Sequence, residues 1–284
     1  MTRRHETLLG WAQTWGQHEM KTAVVTGAGK GLGRRIVEGL AGKGFAVLAT
    51  DVDEEAARAT AEALGSNAWS MHHDVRDPES HRRVAEEARS RGELGLWVNN
   101  AGVLSLGPLW ELDDETVRRH VETNVLGVMS GTRAAIEAMR TSGGHIINVA
   151  SISSLVPAPG LAVYGATKNA VLSFSISVAG DLRRAGLPVQ LSAVCPDAID
   201  TDMVRDVSHS SEAGLIYSAK SLLTAEQVAD VVLELVDRPQ LMVSVPKSRA
   251  FLAHILRPFP GLGLRALEPF RKIGERRLKE LRKP

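Results

Sequence analysis

The sequence predicts an α/β protein whose main part is a single doubly wound domain, with a seven-stranded parallel sheet covered by helices on both faces. Three observations support this prediction. Apolar runs of strand length alternate with helical segments from residue 21 to residue 246. The first run ends in a glycine-rich turn that leads directly into a helix. The chain also contains no internal repeat of the length found in solenoids.

Each predicted strand is an apolar run, and in chain order these runs are TAVVT, FAVLATD, AWSMHHD, LGLWVNNAG, GHIINVAS, PVQLSAVC and QLMVSVP. Strands of a parallel sheet are buried on both faces, and near-continuous apolar composition is typical of them. Because helical segments separate the runs, the pattern predicts parallel pairing through crossover connections.

Caps and periodicity mark the helices between these strands. Asp77 and Pro78 suit the N-cap and the first position of one helix. Thr224 and Gln227 form a capping box for another. Further helices are predicted over GRRIVEGLAGKG, DEEAARATAEALG, residues 113–140 and residues 164–185.

Composition and charge are those of an ordinary soluble globular protein, with 44% apolar and 24% charged residues. The single cysteine, Cys195, excludes an internal disulfide and fits a reducing compartment, so we expect a cytoplasmic protein. No apolar run reaches the roughly 18–20 residues that a membrane-spanning helix needs. The N-terminus lacks the apolar run of a signal peptide.

Three regions are predicted along the chain. Residues 1–20 form an N-terminal extension that we expect to be mobile; a short helix, or sequence upstream of the natural start, are the alternatives. Residues 21–246 form the doubly wound domain, in which residues 198–223 lack a strong period and are expected to form a loop-rich insertion over the carboxyl edge of the sheet. Residues 247–284 form a basic C-terminal tail with net charge +8, whereas the rest of the chain carries net charge −7.

The tail mixes apolar residues with arginines, and short helices broken by Pro258, Pro260 and Pro269 are predicted in it. We favour a tail that packs on the domain or on a partner subunit and covers the substrate entrance. Contact with an anionic membrane surface is a second interpretation. Binding to an acidic protein or nucleic acid is the third, and nucleic acid is disfavoured because no stacking aromatics or recognition fold accompany the charge.

The glycine-rich turn reads TGAGKGLG over residues 26–33 and fits the spacing T-G-x-x-x-G-x-G rather than G-x-G-x-x-G. Glycines let the backbone turn tightly and approach a pyrophosphate closely. The helix that follows directs its free N–H groups and the positive end of its dipole at the anion. The alternative is a glycine-rich turn that binds no ligand.

The residue that ends the second strand, Asp51, indicates which dinucleotide binds. A carboxylate at this position accepts hydrogen bonds from the adenosine ribose hydroxyls and repels a 2′-phosphate, and the next residue, Val52, is not basic. Lys30 in the glycine turn is an argument for NADP(H), since a lysine there could reach a 2′-phosphate, or it is merely solvated at the helix start; unlike the fixed carboxylate, its flexible side chain can swing away. We therefore predict NAD(H) in preference to NADP(H).

Tyr164 is one of only two tyrosines and precedes Lys168 by four residues in YGATK. Residues four apart share one face of a helix. A phenol must lose roughly 3 pKa units, or about 4 kcal/mol, to act as a base near neutral pH. One ammonium at about 4 Å supplies about that much at an effective dielectric near 20. Taken alone, a surface pair on an ordinary helix is the better explanation, since the pattern is common by chance.

Several further motifs occur in a fixed order: DV at 74–75, NNAG at 99–102, ETNVLG around Asn124, Ser151, and a proline–threonine segment at 196–201. Ser151 lies 13 residues before Tyr164 and 27 residues after Asn124. With these motifs and spacings, the chain resembles the short-chain dehydrogenase/reductase family over nearly all of residues 21–246.

This resemblance implies a Rossmann-type sheet and hydride transfer between a secondary alcohol and a nicotinamide cofactor. Tyr164 is then the general acid or base, Lys168 lowers its pKa and holds the nicotinamide ribose, Ser151 binds the substrate oxygen, and Asn124 supports a water beside Lys168. The resemblance further implies that the cofactor contacts Gly27, Lys30, Gly31, Leu32, Gly33, Asp51, Asp74, Val75, Asn100, Ala101, Gly102, Tyr164, Lys168, Pro196, Ile199 and Thr201.

One segment departs from the family pattern, because Asp197 follows Pro196 where the family usually has glycine. We expect Asp197, Asp200 and Asp202 to be solvated loop acids. His72 and His73 are expected at a strand end, and no metal-ligand spacing accompanies them, so no metal site is predicted.

The predicted function is an NAD-dependent oxidoreductase acting on a small-molecule alcohol or ketone, as a homodimer or homotetramer and without nucleic acid. A catalytically silent dinucleotide-binding or regulatory protein on the same fold is the alternative.

Overall fold

The computed structural model describes residues 21–281. The predicted N-terminal extension, residues 1–20, lies outside the described residues. One seven-stranded parallel sheet forms the centre, in the order β3-β2-β1-β4-β5-β6-β7, which confirms the predicted fold class. Its strands are β1 (Lys21–Thr26), β2 (Ala46–Asp51), β3 (Ala68–His72), β4 (Glu93–Asn99), β5 (Gly144–Val149), β6 (Val189–Pro196) and β7 (Met242–Val245).

Helices cover both faces of the sheet, and their caps are those the sequence predicts. Asp77 accepts a hydrogen bond from the Glu79 N–H, and Thr224 and Gln227 cap each other's backbone. The helices of the main domain are α1 (Gly31–Gly42), α2 (Glu54–Glu62), α3 (Pro78–Ser90), α4 (Asp114–Val121), α5 (Val128–Met139), α6 (Ala162–Ala185), α7 (Asp202–Asp206) and α8 (Ala225–Asp237).

Side chains that alternate along the strands supply two separate cores. Val25 of β1 faces α1 and α8, where it packs in one cluster with Ile36 and Val232. Its neighbour Val24 points to the other face and packs in a cluster with Trp97 and residues of α3, α5 and α6. The sheet is therefore buried on both sides, as the apolar runs predict.

The predicted helix over 113–140 is not a single α-helix. A π-helical turn, Glu122–Gly127, separates α4 from α5 and carries Asn124. Such a turn shifts the backbone by one residue and is frequently found at functional sites. Amphipathic periodicity continues through a turn of this kind, so the sequence pattern does not reveal it.

The tail forms two helices, α9 (Lys247–Leu256) and α10 (Pro260–Leu281). The prediction that Pro269 breaks the second helix is wrong, since α10 continues through it. Packing holds α10 against a 3₁₀ segment, Ser211–Ser218: a Cβ at Gly274 would lie 1.7 Å from the Gly214 carbonyl oxygen, and Leu278 is buried. Tertiary contacts of this kind outweigh the loss of one helical hydrogen bond at a proline.

Arg277 strengthens this packing because its guanidinium donates to the carbonyl oxygens of Ser218, at 2.8 Å, and of Ala219. The tail therefore lies on the 198–223 insertion of the same chain. Among residues 21–281, no helix has both the length and the apolar character needed to cross a bilayer.

Candidate active site

The carboxyl ends of the strands form a crevice where the strand order reverses between β1 and β4. Ligands bind at such switch points in doubly wound sheets. One cavity here is lined by all sixteen predicted cofactor residues and by Ser151. Asn124 is fully buried behind the cavity and does not line it. The fold thus brings together residues that the sequence separates by up to 174 positions, from Gly27 to Thr201.

The glycine turn has a backbone that only glycine adopts without strain. Gly27 and Gly31 have φ angles of +64° and +57°. A Cβ at Gly33 would lie 2.1 Å from the Gly27 carbonyl oxygen, and one at Gly27 would lie 2.8 Å from the Ala101 Cα. No side chain caps the start of α1, so its first N–H groups are available to an anion. These features fit the pyrophosphate of a dinucleotide.

Asp51 is fixed at the end of β2 by two backbone donors. Its Oδ2 accepts from the Gly29 N–H at 2.9 Å, and its Oδ1 accepts from the Asp53 N–H at 3.1 Å. Each carboxylate oxygen keeps a further lone pair for another donor. The carboxylate therefore sits at the cavity wall in a defined orientation and can still accept hydrogen bonds from a ribose.

Thr26 and Asn100 hold the turn after β4 against the glycine turn. Thr26 Oγ1 accepts from the N–H groups of Asn100 and Ala101, each at 3.0 Å. The Asn100 amide donates to the carbonyl oxygens of Thr26, at 2.9 Å, and Gly27, at 3.0 Å. Asn100 thus supports the cavity wall through its side chain. Thr26, the first residue of the T-G-x-x-x-G-x-G motif, has the same role, which the motif alone did not reveal.

Asn124 connects the π-helical turn to the cavity wall. Its Oδ1 accepts from the Val103 N–H at 2.8 Å, and its Nδ2 donates to the Val103 carbonyl at 2.9 Å and to Thr167 Oγ1 at 3.2 Å. Thr167 in turn donates to the Tyr164 carbonyl at 2.7 Å. Asn124 is therefore joined to the helix of Tyr164 through Thr167.

Ser151 follows β5 and is 7% exposed at the cavity wall. Its Oγ lies 2.7 Å from Ser153 Oγ and accepts from the Ser153 N–H at 3.2 Å. Tyr164, on the first turn of α6, forms a hydrogen bond with Ser151 that lowers the pKa of its phenol, but burial has the larger effect and raises that pKa above its ordinary value.

Lys168 is buried, and its Nζ donates to the Val149 carbonyl at 2.8 Å. Burial disfavours the ammonium and lowers its pKa to about 8. The Nζ lies 5.9 Å from the centre of the Tyr164 ring. The two side chains face the same cavity, as the i, i+4 spacing predicts. We expected Lys168 to lower the pKa of Tyr164, but burial of the phenol raises it.

Asp197 is not the solvated loop acid that the sequence led us to expect. Its side chain is only 10% exposed and forms an ion pair with Arg249 of α9, at 2.6 Å. Burial raises the pKa of Asp197, and the Arg249 charge opposes that rise. Arg249 also donates to Ser218 Oγ at 2.8 Å and lines the cavity. Asp200 and Asp202 are exposed, as expected, and both pair with Arg205.

Segments 103–111, 152–163 and 198–223, together with Leu267 of the tail, supply a further wall of the cavity. Because the first three segments lack periodicity, the sequence predicts loops there that shape the substrate pocket, and these loops form this wall. It is apolar and comprises Leu104, Ile152, Val156, Leu161, Met203, Val204, Leu215, Ile216 and Leu267. A site with one polar, anion-binding end and one apolar end suits a dinucleotide beside an apolar second ligand.

Two buried histidines lie beside Asp74 and Val75 of the cavity wall. His73 Nδ1 is 3.0 Å from Thr50 Oγ1, and its Nε2 is 3.1 Å from His81 Nδ1. His81 Nε2 is 2.9 Å from the Val75 carbonyl oxygen, to which it donates. Burial lowers the pKa of His73 to about 3, so both rings are neutral. Within residues 21–281, no group of three or more potential metal ligands occurs.

Comparison with known proteins places this geometry in context. A family model described as short chain dehydrogenase matches residues 21–212. A crystal structure of a short chain dehydrogenase/reductase from Burkholderia phymatum in complex with NAD superimposes with a TM-score of 0.78 and 26% identity, covering 87% of this chain and 96% of that one.

The proteins that are similar to this chain in sequence are named for several different activities. The 3-oxoacyl-[acyl-carrier-protein] reductase of Escherichia coli K12 is 35% identical over 75% of this chain and 88% of its own length. The 1-deoxy-11-beta-hydroxypentalenate dehydrogenase of Streptomyces exfoliatus is 35% identical over 76% of this chain and 79% of its own length. The 3-beta-hydroxysteroid dehydrogenase of Comamonas testosteroni is 34% identical over 65% of this chain and 73% of its own length.

Proposed function

Because the chain belongs to the short-chain dehydrogenase family, we propose that it is an NAD(H)-dependent oxidoreductase that interconverts an apolar secondary alcohol and the corresponding ketone. The observation that carries the proposal is the position of Ser151, Tyr164 and Lys168. All three line one cavity, between an anion-binding glycine turn and an apolar wall.

Support for NAD(H) comes from Asp51. Its two backbone hydrogen bonds keep the carboxylate at the end of β2, where it would accept from the ribose hydroxyls and repel a 2′-phosphate. The solved Burkholderia relative was crystallised with NAD. Lys30 is the one basic residue of the glycine turn, and it is exposed.

The protein's own groups would act on the substrate oxygen. When bound, the nicotinamide accepts or supplies the hydride. In the reductive direction, Tyr164 donates its phenolic proton to the ketone oxygen while the Ser151 hydroxyl donates a hydrogen bond to it. In the oxidative direction, Tyr164 takes the alcohol proton. Lys168 would hold the ribose hydroxyls, and its charge would stabilise the phenolate after proton transfer.

The apolar wall supports a substrate that is hydrocarbon-like around its reacting carbon. Two relatives are named for dehydrogenation of polycyclic compounds, a hydroxysteroid and a hydroxypentalenate. One is named for a carrier-bound oxoacyl substrate. We favour a compact apolar ring system over the carrier-bound chain because the tail helices cover the wall that a long chain would have to cross.

The test is a panel of secondary alcohols assayed by the absorbance of reduced nicotinamide, with NAD⁺ and NADP⁺ in parallel. We expect turnover of apolar cyclic alcohols with NAD⁺ and little turnover of alcohols that carry a carboxylate. An NADP⁺ preference of about tenfold or more would contradict the cofactor proposal. Tight NAD⁺ binding without turnover of any alcohol or ketone would favour the silent dinucleotide-binding alternative.

We further propose that the protein self-associates as a homodimer or homotetramer. Support comes from three exposed apolar side chains on the helices that follow β4 and β5: Val121, Leu126 and Ile176 are 41%, 50% and 42% exposed. Large apolar side chains grouped on helices commonly mark subunit interfaces.

A further inference from the structure

The junction between α9 and α10 carries a dense group of exposed apolar side chains. We call residues 251–265 the elbow. Ala253 and Gly263 of the elbow are buried, as is Ala250 just before it, so the elbow turns one face to the protein and the other to solvent. The solvent face holds Phe251 (68% exposed), Leu252 (40%), Ile255 (50%), Phe259 (60%), Leu262 (58%) and Leu264 (50%).

The charged residues within this stretch of the sequence are all basic. Residues 238–267 contain five Lys or Arg residues and no Asp or Glu. Arg249 is committed to Asp197, but Lys247, Arg257 and Arg265 are exposed at or near the apolar face. Aromatic and aliphatic side chains flanked by cations are typical of segments that lie in the interface of an anionic bilayer.

We propose that the elbow docks on the surface of an anionic phospholipid bilayer. The apolar side chains would enter the boundary between headgroups and acyl chains, and the cations would pair with lipid phosphates. A second copy of the chain is a poorer occupant, because a two-fold interface would bring Arg257 and Arg265 of both copies together. An acidic protein partner would pair with the cations but would not explain why six apolar side chains are exposed within fourteen residues.

Docking would orient the cavity toward the lipid. Leu267, one helical turn beyond Leu264, lines the apolar wall of the cavity, as does the 38% exposed Met203. A hydrocarbon-like substrate dissolved in the bilayer would then enter beside the elbow. This consequence rests on the proposed function, whereas docking itself does not.

The experiment is co-sedimentation of the full chain with vesicles of phosphatidylcholine alone, or of phosphatidylcholine mixed equally with phosphatidylglycerol. We expect the protein to pellet with the anionic vesicles, to remain mostly in solution with phosphatidylcholine, and to be released at about 1 M salt. Protein without vesicles controls for aggregation.

Two double variants identify the surface. Phe251→Ser with Phe259→Ser should lower the vesicle partition coefficient at least about tenfold, because each change removes a side chain that would enter the interface. Arg257→Gln with Arg265→Gln should lower it on anionic vesicles only. The matched controls are Leu109→Ser with Trp110→Ser, which are 56% and 85% exposed elsewhere, and Arg183→Gln with Arg184→Gln on α6. Both controls should bind as wild type does.

Three results would overturn the proposal: no pelleting of wild type with anionic vesicles, equal pelleting of the elbow and control variants, or a lower solution mass of the Phe251/Phe259 variant by sedimentation equilibrium. The last would identify the elbow as a subunit interface. All variants would also be assayed for NADH binding without vesicles. Because the elbow does not line the cofactor end of the cavity, retained NADH binding with lost vesicle binding separates this proposal from the proposed function.

Discussion

At the scale of single residues, burial sets the protonation states of Tyr164 and Lys168. It raises the pKa of the phenol and lowers that of the ammonium to about 8. Tyr164 is therefore a neutral phenol at neutral pH, which is the state that donates a proton to a ketone. A phenolate is needed for the reverse reaction, so the two directions should respond differently to pH.

The first prediction concerns this pH dependence. From about pH 6 to about pH 10, ketone reduction should stay nearly constant, because burial keeps Tyr164 protonated, whereas alcohol oxidation should rise with pH as the small phenolate fraction grows. Steady-state kcat/KM in both directions over this range measures the effect. Parallel profiles in the two directions would contradict the assignment of Tyr164 as the titrating group.

The second prediction concerns cofactor choice. Asp51→Ser removes the carboxylate that would repel a 2′-phosphate, so the ratio of kcat/KM for NADP⁺ to that for NAD⁺ should rise at least about tenfold. Asp53→Ser is the matched control, since it removes a neighbouring carboxylate yet keeps a side chain able to cap α2. An equal change in both variants would mean that general charge, rather than contact with the ribose, determines the preference.

The third prediction concerns acid stability. Burial lowers the pKa of His145 to about 4 from 6.5, and its Nε2 lies 2.8 Å from Ser192 Oγ. Between about pH 6.5 and about pH 4, His145 is protonated in the unfolded chain but neutral in the folded chain. The free energy of unfolding therefore decreases as the pH falls through that window. At pH 5, His145 alone lowers the free energy of unfolding by about 2 kcal/mol.

Urea unfolding at pH 7.5 and at pH 5 tests this prediction. His145→Gln should reduce the loss of unfolding free energy between these pH values by about 2 kcal/mol. The control is His209→Gln at an exposed position. A His145→Gln protein as acid-sensitive as wild type would show that the ring is not buried as a neutral group.

At the scale of elements, the closest contact in the tail joins α10 to the Ser211–Ser218 segment. A Cβ at Gly274 would lie 1.7 Å from the Gly214 carbonyl oxygen and 3.0 Å from the Ser218 backbone nitrogen. The two backbones touch because neither glycine has a side chain. This contact places Leu215 and Ile216, which line the cavity, directly beneath α10.

The fourth prediction follows from this contact. Gly274→Ala should lower stability by about 1–3 kcal/mol and raise the KM for the alcohol or ketone, while the Kd for NADH stays within about threefold. The matched control on the same helix is Gly261→Ala, whose new methyl group would have no atom within 4 Å. Its stability, its KM for the alcohol or ketone and its Kd for NADH should all stay near the wild-type values. Thermal unfolding and steady-state kinetics measure the effects, and unchanged stability of Gly274→Ala would contradict the packing.

Sequence patterns predicted the strands and the cofactor turn because local chemistry determines them. Each strand is an apolar run, and the turn after β1 needs glycine at positions that no other residue tolerates. The Asp197–Arg249 ion pair was not predictable, since 52 residues separate its partners and neither segment has a period. The continuation of α10 through Pro269 escaped prediction for a similar reason: tertiary contacts, not local propensity, decide it.

At the scale of the whole molecule, the tail links parts of the site that the sheet alone leaves apart. Arg249 of α9 joins Asp197 at the end of β6 to Ser218 of the insertion, and α10 packs on the same insertion. The cofactor end of the cavity depends on the sheet and the glycine turn, whereas the apolar end depends on the tail. Changes in the tail should therefore alter substrate binding more than cofactor binding.

We propose that hydride passes between the substrate and the nicotinamide in this cavity, and that Tyr164 donates or accepts the accompanying proton. The most direct measurement compares wild type with Tyr164→Phe, using the best alcohol of the panel and NAD⁺, with NADH binding measured on both proteins. Turnover of Tyr164→Phe should be at least about 10³-fold lower, within the range known for general acid–base groups, while the Kd for NADH should change by less than about threefold. Turnover within about tenfold of wild type, with NADH binding intact, would contradict this proposal.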